Sequence, residues 1–187
     1  EKAKWINELN MENIAIAGGF CKSIILNKKI NDIDIYMYNM TNDEEYCSRL
    51  NILVNDITSL MNKYYKNVVS LHAYKKTFNV YEIMYYENMK NLKKDNFELE
   101  DLKQMDYIIK IQIILKRHIE MKDIISTFDL DSCCVLWDGY NLYMNDRSYI
   151  AYKYLINIPR IDTSYTDVFD YRLIKYYNSG FRIVLPR

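Results

Sequence analysis

Ile14-Ala15-Ile16-Ala17-Gly18-Gly19, followed after a short segment by Asp32-Ile33-Asp34-Ile35-Tyr36, is the stretch on which the fold turns. An apolar run ends in two glycines, and a second apolar run then carries carboxylates at i and i+2. Alternation of period two predicts a strand with Asp32 and Asp34 on one face and Ile33 and Ile35 on the other. Neighbouring acids repel each other and are costly to desolvate, so the pattern calls for a compensating cation. A divalent metal carrying a nucleoside triphosphate would supply that charge.

The composition narrows the class of protein. A chain of 187 residues, half of them hydrophobic, suits one domain with a sizeable core. The 25 basic and 25 acidic residues cancel, which argues against a strong nonspecific polyanion binder. With only 4 Gly and 2 Pro, disorder is not expected. No apolar run approaches the roughly 20 residues that cross a bilayer, so no membrane partner is expected. Cys21, Cys47, Cys133 and Cys134 lack CxxC spacing and read as buried free thiols, the adjacent pair pointing to opposite faces of a strand. No signal-peptide pattern opens the sequence, so a reducing, cytoplasmic setting is the expectation. His72 and His118 lie too far apart in sequence to support a zinc site. The 19 tyrosines, with abundant Asn, Lys and Ile, point to an AT-rich coding genome.

Outward from the opening stretch, a single domain is expected over 1–187, with 145–187 a helical subregion ending in a strand. The strand at 13–17 turns at Gly18-Gly19 into a short helix at 20–26, and the acidic strand covers 32–38. Thr41 with Glu44 resembles a capping box. Leu50, Leu53, Val54, Ile57, Leu60 and Met61 then recur at helical spacing over about five turns. Residues 68–74 and 77–85 alternate as an antiparallel hairpin turning at Lys75-Lys76. A charged loop over 87–106 precedes the apolar strand 107–115, in which Gln112 is embedded. A helix at 118–128 leads to Asp129-Leu130-Asp131, a strand at 132–137, and a tight turn at Asp138-Gly139 into 142–144. Helices at 147–156 and 167–178, with Gly180 as cap, precede a last strand at 181–185.

The glycine pair closing a strand and the Asp-x-Asp strand after a short helix resemble the DNA polymerase beta-like nucleotidyltransferase superfamily. The resemblance implies an α+β fold, a nucleotidyltransferase-like mixed sheet flanked by helices. It implies Asp32 and Asp34 as the catalytic residues that hold Mg²⁺ or Mn²⁺, an NTP as substrate, and a nucleic acid or protein as acceptor. The segment Ala17–Leu26 also resembles the Gly-Gly segment of CCA-adding enzymes, with Lys22-Ser23 where those enzymes carry Arg-Asp. The chain lacks length for their tRNA-binding domains, so a CCA-adding role is not expected. From Lys110 onward the chain is similar to uncharacterised nucleotidyltransferase-like regions of large DNA viruses and ankyrin-repeat proteins. The words that carry this are Ile111-Gln112-Ile113-Ile114, Phe128-Asp129-Leu130-Asp131-Ser132-Cys133-Cys134, Trp137-Asp138-Gly139, Arg172-Leu173-Ile174-Lys175-Tyr176 and Gly180–Pro186.

The chemistry of the residues adds detail. Gly18 and Gly19 let backbone approach a phosphate, with Lys22 and Ser23 beside them and Lys116 and Arg117 after the Gln112 strand as further phosphate candidates. The superfamily's third acid is expected where Gln112 stands, and glutamine offers a neutral oxygen only. Glu82, or Asp129 and Asp131, are the substitutes, although the last two read better as loop-ordering residues. Tyr171, Tyr176 and Tyr177 read as core and rim. No GxxxxGK[ST] run exists, so a P-loop is excluded. The leading expectation is a metal-dependent nucleotidyltransferase that releases pyrophosphate. The alternatives are a catalytically inactive module of the same fold that binds nucleotide or protein, and an enzyme that adds AMP to a protein partner.

Overall fold

β1 (Ile14–Ala17) is buried along its whole length, between β2 (Asp32–Tyr38) and β6 (Val135–Trp137), and runs antiparallel to both. The structure, a computed structural model, describes residues 3–30, 32–66, 68–75, 79–87, 107–159 and 167–185. Past Glu87 the charged loop expected up to residue 106 lies outside the described residues, as does Lys76 of the hairpin corner.

The sheet has seven strands in the order β3 (Val68–Lys75), β4 (Val80–Glu87), β5 (Ile109–His118), β2, β1, β6 and β7 (Leu142–Met144). Only β2 and β5 pair in parallel, so the sheet is mixed and the architecture is α+β. Side-chain alternation divides β2 cleanly. Ile33, Ile35 and Met37 are fully buried, whereas Asp32, Asp34, Tyr36 and Tyr38 on the other face are partly exposed. The buried set packs under α2 (Asp43–Tyr64) through Leu53, Ile57 and Met61, with Trp5 and Ile6 of a 3₁₀ turn at Lys4–Glu8. On the opposite face Ala15 and Ala17 of β1 meet Ile124 and Ile125 of α3 (Met121–Ser126). The alanines are small enough to bring that short helix close to the sheet.

Local differences from the sequence reading have local causes. α2 is capped by Asn42, whose side chain accepts the Glu45 N–H at 2.9 Å, while the Glu45 carboxylate takes the Thr41 N–H at 2.9 Å. The box therefore sits one residue later than the Thr41–Glu44 spacing predicted. β5 runs on to His118 because an irregularity in register still pairs Tyr38 with His118, which delays α3 to its own box between Glu120 and Asp123. The strand expected at 132 begins only at Val135, since the Ser132 N–H donates to Asn157 Oδ1 at 2.8 Å and Asp131–Cys133 forms a 3₁₀ turn. Cys133 and Cys134 nevertheless enter different apolar clusters. All four cysteines are free; Cys47 is exposed, a departure from the expectation of buried thiols.

The carboxyl-terminal region contains α4 (Asp146–Tyr154), β8 (Ile156–Asn157), α5 (Asp167–Tyr177) and β9 (Arg182–Ile183). β8 and β9 form a separate two-stranded parallel ladder. α5 stops in a Schellman arrangement, with the Phe181 N–H on the Tyr176 carbonyl, the Gly180 N–H on the Tyr177 carbonyl and Gly180 at φ 101°. The Phe181 ring packs on Tyr176, which anchors this helix to Cys133 and Leu130 at the edge of the acidic face.

Because Ile57 is fully buried beneath the sheet, Ile57→Ala is expected to cost about 2–5 kcal/mol in urea unfolding. The exposed Ile52→Ala on the same helix is expected to change stability by less than about 0.5 kcal/mol. Equal effects would contradict the placement of the core.

Candidate functional site

The acidic face of β2 looks onto the glycine bend. Gly18 has φ 69°, a left-handed conformation that L side chains adopt only under strain, and its N–H donates to the Val135 carbonyl at 3.1 Å. A Cβ built at Gly18 would stand 3.8 Å from Asp34 Oδ2, and one at Gly19 would stand 3.9 Å from Asp32 Oδ1. Both carboxylates thus face the turn. α1 (Gly19–Ile25) follows directly.

Strand register extends this arrangement into rows. Asp34 is the direct neighbour of Ala17 on β1 and of Gln112 on β5, and Gln112 is the neighbour of Glu82 on β4. One row below, Asp32 stands beside Lys110, whose ammonium lies 3.6 Å from Asp32 Oδ2. Asp34 makes no hydrogen bond or ion pair among the described residues. Glu82, 2% exposed, is held by Lys75 at 2.7 Å and by the Gln112 amide at 2.7 Å.

Asp32, Asp34 and Gln112 open onto a pocket of about 520 Å³, within the range that holds nucleotide-sized ligands. Gly18, Gly19, Asp32, Asp34 and Gln112 form one wall. Tyr171, Arg172 and Lys175 of α5 form another, with Lys75 at the β3 end. Arg172 is paired with Asp129 at 2.5 Å. The Lys175 side chain lines the same pocket as the acids and makes no hydrogen bond or ion pair among the described residues.

Several residues read from the sequence as phosphate neighbours lie elsewhere. Lys22 is 6% exposed, donates to Ser179 Oγ at 3.1 Å and sits 4.3 Å over the Tyr176 ring. It fastens α1 to the end of α5, and burial lowers its pKa. The Ser23 hydroxyl donates back to the Gly19 carbonyl at 2.9 Å, as a helical serine does. Lys116 is exposed and outside the pocket. Arg117 pairs with Asp43 at the start of α2 and stacks over Tyr46. Asp131 accepts from Arg147 at 2.7 Å and from the Ile158 N–H at 2.7 Å, the loop-ordering role expected of it. The pocket cations that sequence reasoning missed are Lys75, Arg172 and Lys175. For Arg172 and Lys175 the local signal was a spacing of one helical turn, and Lys75 was read only as part of the hairpin corner.

The donor set consists of hard oxygen ligands, as Mg²⁺ or Mn²⁺ requires. No group of three acid, histidine or cysteine side chains able to hold a metal occurs among the described residues. Glu82 lies two strand spacings, about 9–10 Å, from the Asp34 position, too far to share an ion bound at about 2.0–2.6 Å. Mg²⁺ is commonly held by one or two carboxylates together with substrate phosphates, and Asp32 with Asp34 fit that mode. Burial, and then the neighbouring Asp32, push the Asp34 carboxyl up to about 7; Lys110, Lys175 and Arg172 offset this only in part.

The folded protein holds a proton on Asp34 where the unfolded chain, near 3.8, has lost it. This group therefore subtracts stability as pH rises from about 4 to about 7. Asp34→Asn is expected to gain stability over wild type in urea unfolding without metal, and to gain more at pH 8 than at pH 4.5. An equal difference at both pH values would contradict a desolvated, unpaired carboxylate.

Known proteins resemble the chain in fold and in sequence family. The solved structure of a tRNA-processing enzyme with CTP superposes with a TM-score of 0.53 at 13% identity, over 96% of this chain and 43% of that one. The Thermotoga maritima CCA-adding enzyme complexed with tRNA superposes at 0.50 and 14% identity, covering 96% and 38%. A CCA-adding enzyme with ATP gives the same values. At such identities the likeness carries the fold, which is nucleotidyltransferase-like. An uncharacterised protein of Acanthamoeba polyphaga mimivirus, R883, is 29% identical over 98% of this chain, and the chain spans 38% of that protein's length. The model of the family described as Gad2, Gabija anti-defense 2 family protein, matches residues 1–153. The chain belongs to the Gabija anti-defense 2 family.

Proposed function

We propose that this chain is a metal-dependent nucleotidyltransferase domain of the DNA polymerase beta-like kind, moving an NMP from an NTP to a hydroxyl acceptor. The observation that carries the reading is the pairing of opposed walls in one pocket. Asp32 and Asp34 face the glycine bend on one side, and Arg172 and Lys175 face them from α5. Acids placed for a cation and cations placed for phosphates are the two halves of a metal–nucleotide site.

In this reading Asp32 and Asp34 would hold the cation, which would withdraw charge from the phosphates and lower the pKa of an attacking hydroxyl. Lys175 and Arg172 bind the β- and γ-phosphates and retain the leaving group. The acceptor oxygen forms a bond to the α-phosphorus, the bond to the β-phosphate oxygen breaks, and pyrophosphate and a proton are the other products. Gly18 keeps the bend free of side chains beside the acids. The family description supports an acceptor or partner drawn from the Gabija defence system, with the modification disabling it.

Gln112, in register beside Asp34 where a third acid is expected, favours a second reading, a module of this fold that binds nucleotide without turning it over. Pyrophosphate release from each NTP with Mg²⁺ or Mn²⁺, followed beside thermal melting, separates the two. The leading reading predicts turnover that Asp34→Asn lowers more than about 100-fold. It also predicts that Lys175→Ala weakens NTP binding about 10- to 100-fold, the loss of one charge-assisted contact. A rise in melting temperature with metal and NTP but no turnover selects the binding module. Wild type and Asp34→Asn turning over alike would refute catalysis at this pocket.

A further inference from the structure

Gln112 has a neighbour that gives its amide a direction. Asp34, Gln112 and Glu82 are register partners on three successive strands, so their side chains share one face in a line. Gln112 and Asp34 line the pocket, whereas Glu82 lies behind it. An isolated glutamine amide can turn either end towards an acidic neighbour, and its NH₂ end would repel a cation. Here Gln112 Nε2 donates to Glu82 Oε2 at 2.7 Å. An ionised carboxylate only accepts, so this hydrogen bond fixes which end of the amide faces β4 and leaves Oε1 for the β2 side.

Glu82 is secured in turn. The Lys75 ammonium spans its carboxylate, 2.7 Å from Oε1 and 2.8 Å from Oε2. An apolar side chain of similar size would fill this position at a lower desolvation cost. What the carboxylate adds is the direction of the Gln112 amide. Resting on the reading of the pocket as a metal–nucleotide site, we propose that Glu82 is a positioning residue that turns the Gln112 carbonyl oxygen towards Asp32 and Asp34. Gln112 thereby supplies a third, neutral protein oxygen to the divalent cation.

The donor set then carries two negative charges instead of three, which matches a single divalent ion and adds no third charge to the repulsion between Asp32 and Asp34. The triphosphate charge is left to Lys175 and Arg172 across the pocket.

The test is Mn²⁺ affinity by calorimetry, in wild type, Asp34→Asn, Gln112→Met and Glu82→Gln, with melting in EDTA recorded for each. Glu82→Gln keeps the volume and a hydrogen bond but lets the facing amide adopt either end, and the released Lys75 is half exposed. Both Gln112→Met and Glu82→Gln are expected to weaken Mn²⁺ binding at least 10-fold, with metal-free melting close to wild type. A purely structural Glu82–Gln112 pair would shift the melting temperature and leave the affinity unchanged. If Asp34→Asn abolishes Mn²⁺ binding while Gln112→Met and Glu82→Gln bind as wild type, the inference is overturned and the two-acid site stands. If wild type binds no Mn²⁺ that depends on Asp34, the inference and the reading beneath it both fall.

Discussion

Two carboxylates on one face of a single strand set the terms for everything around them. A strand repeats each face about every 6.6 Å, and unit charges at that spacing repel by about 2–3 kcal/mol at an effective dielectric constant of 20. Packing Asp34 beside the glycine bend strips water from its carboxylate, and its raised pKa reflects both effects. Lys110 approaches Asp32 at 3.6 Å but leaves Asp34 without an ion pair among the described residues. The opposing cations come instead from α5, brought over the site by the Phe181–Tyr176 packing and by Lys22 on Ser179. The sheet thus holds an electrostatic deficit that a bound divalent cation would relieve.

The part of this arrangement that follows short-range rules could be read in the sequence. Period-two alternation placed Asp32 and Asp34 together, opposite Ile33, Ile35 and Met37, and the glycine pair marked the bend they face. Helical spacing found α2 and its buried Leu53, Ile57 and Met61. The rest depended on which distant segments fold back on which. Lys22 sits one turn from the glycines and looks like a phosphate ligand until α5 covers it. Lys116 and Arg117 follow the Gln112 strand, but β5 continues to His118 and carries both away from the acids. Arg172 and Lys175 entered the sequence reading only within a resemblance, because their place in the pocket depends on α5 packing on Leu130, Cys133 and Phe181 beside the acidic face. Where the chain departed from the pattern locally, a specific bond was responsible, as with Asn42 displacing Thr41 at the cap.

The departure at Gln112 separates fold from chemistry. A tRNA-processing enzyme and two CCA-adding structures share this fold at 13–14% identity, and the chain covers less than half of each of them. Within this site runs the row Asp34–Gln112–Glu82 with Lys75 behind it, in which a neutral amide stands between Asp34 and the buried Glu82. The same register places Glu82 beyond reach of an ion at Asp34, so the two carboxyl groups cannot exchange roles by a rotamer change alone. Membership of an anti-defense family makes this site the place to seek the chemistry behind that name.

The most direct test is diffraction from crystals grown with Mn²⁺ and a non-hydrolysable NTP, with data collected at the manganese absorption edge. The account predicts an anomalous peak within coordination distance of both Asp32 and Asp34, with the Gln112 carbonyl oxygen turned towards it and the phosphates leaning on Lys175. Nucleotide bound away from the glycine bend, or a pocket without a metal peak while Asp34 engages a lysine, would contradict it.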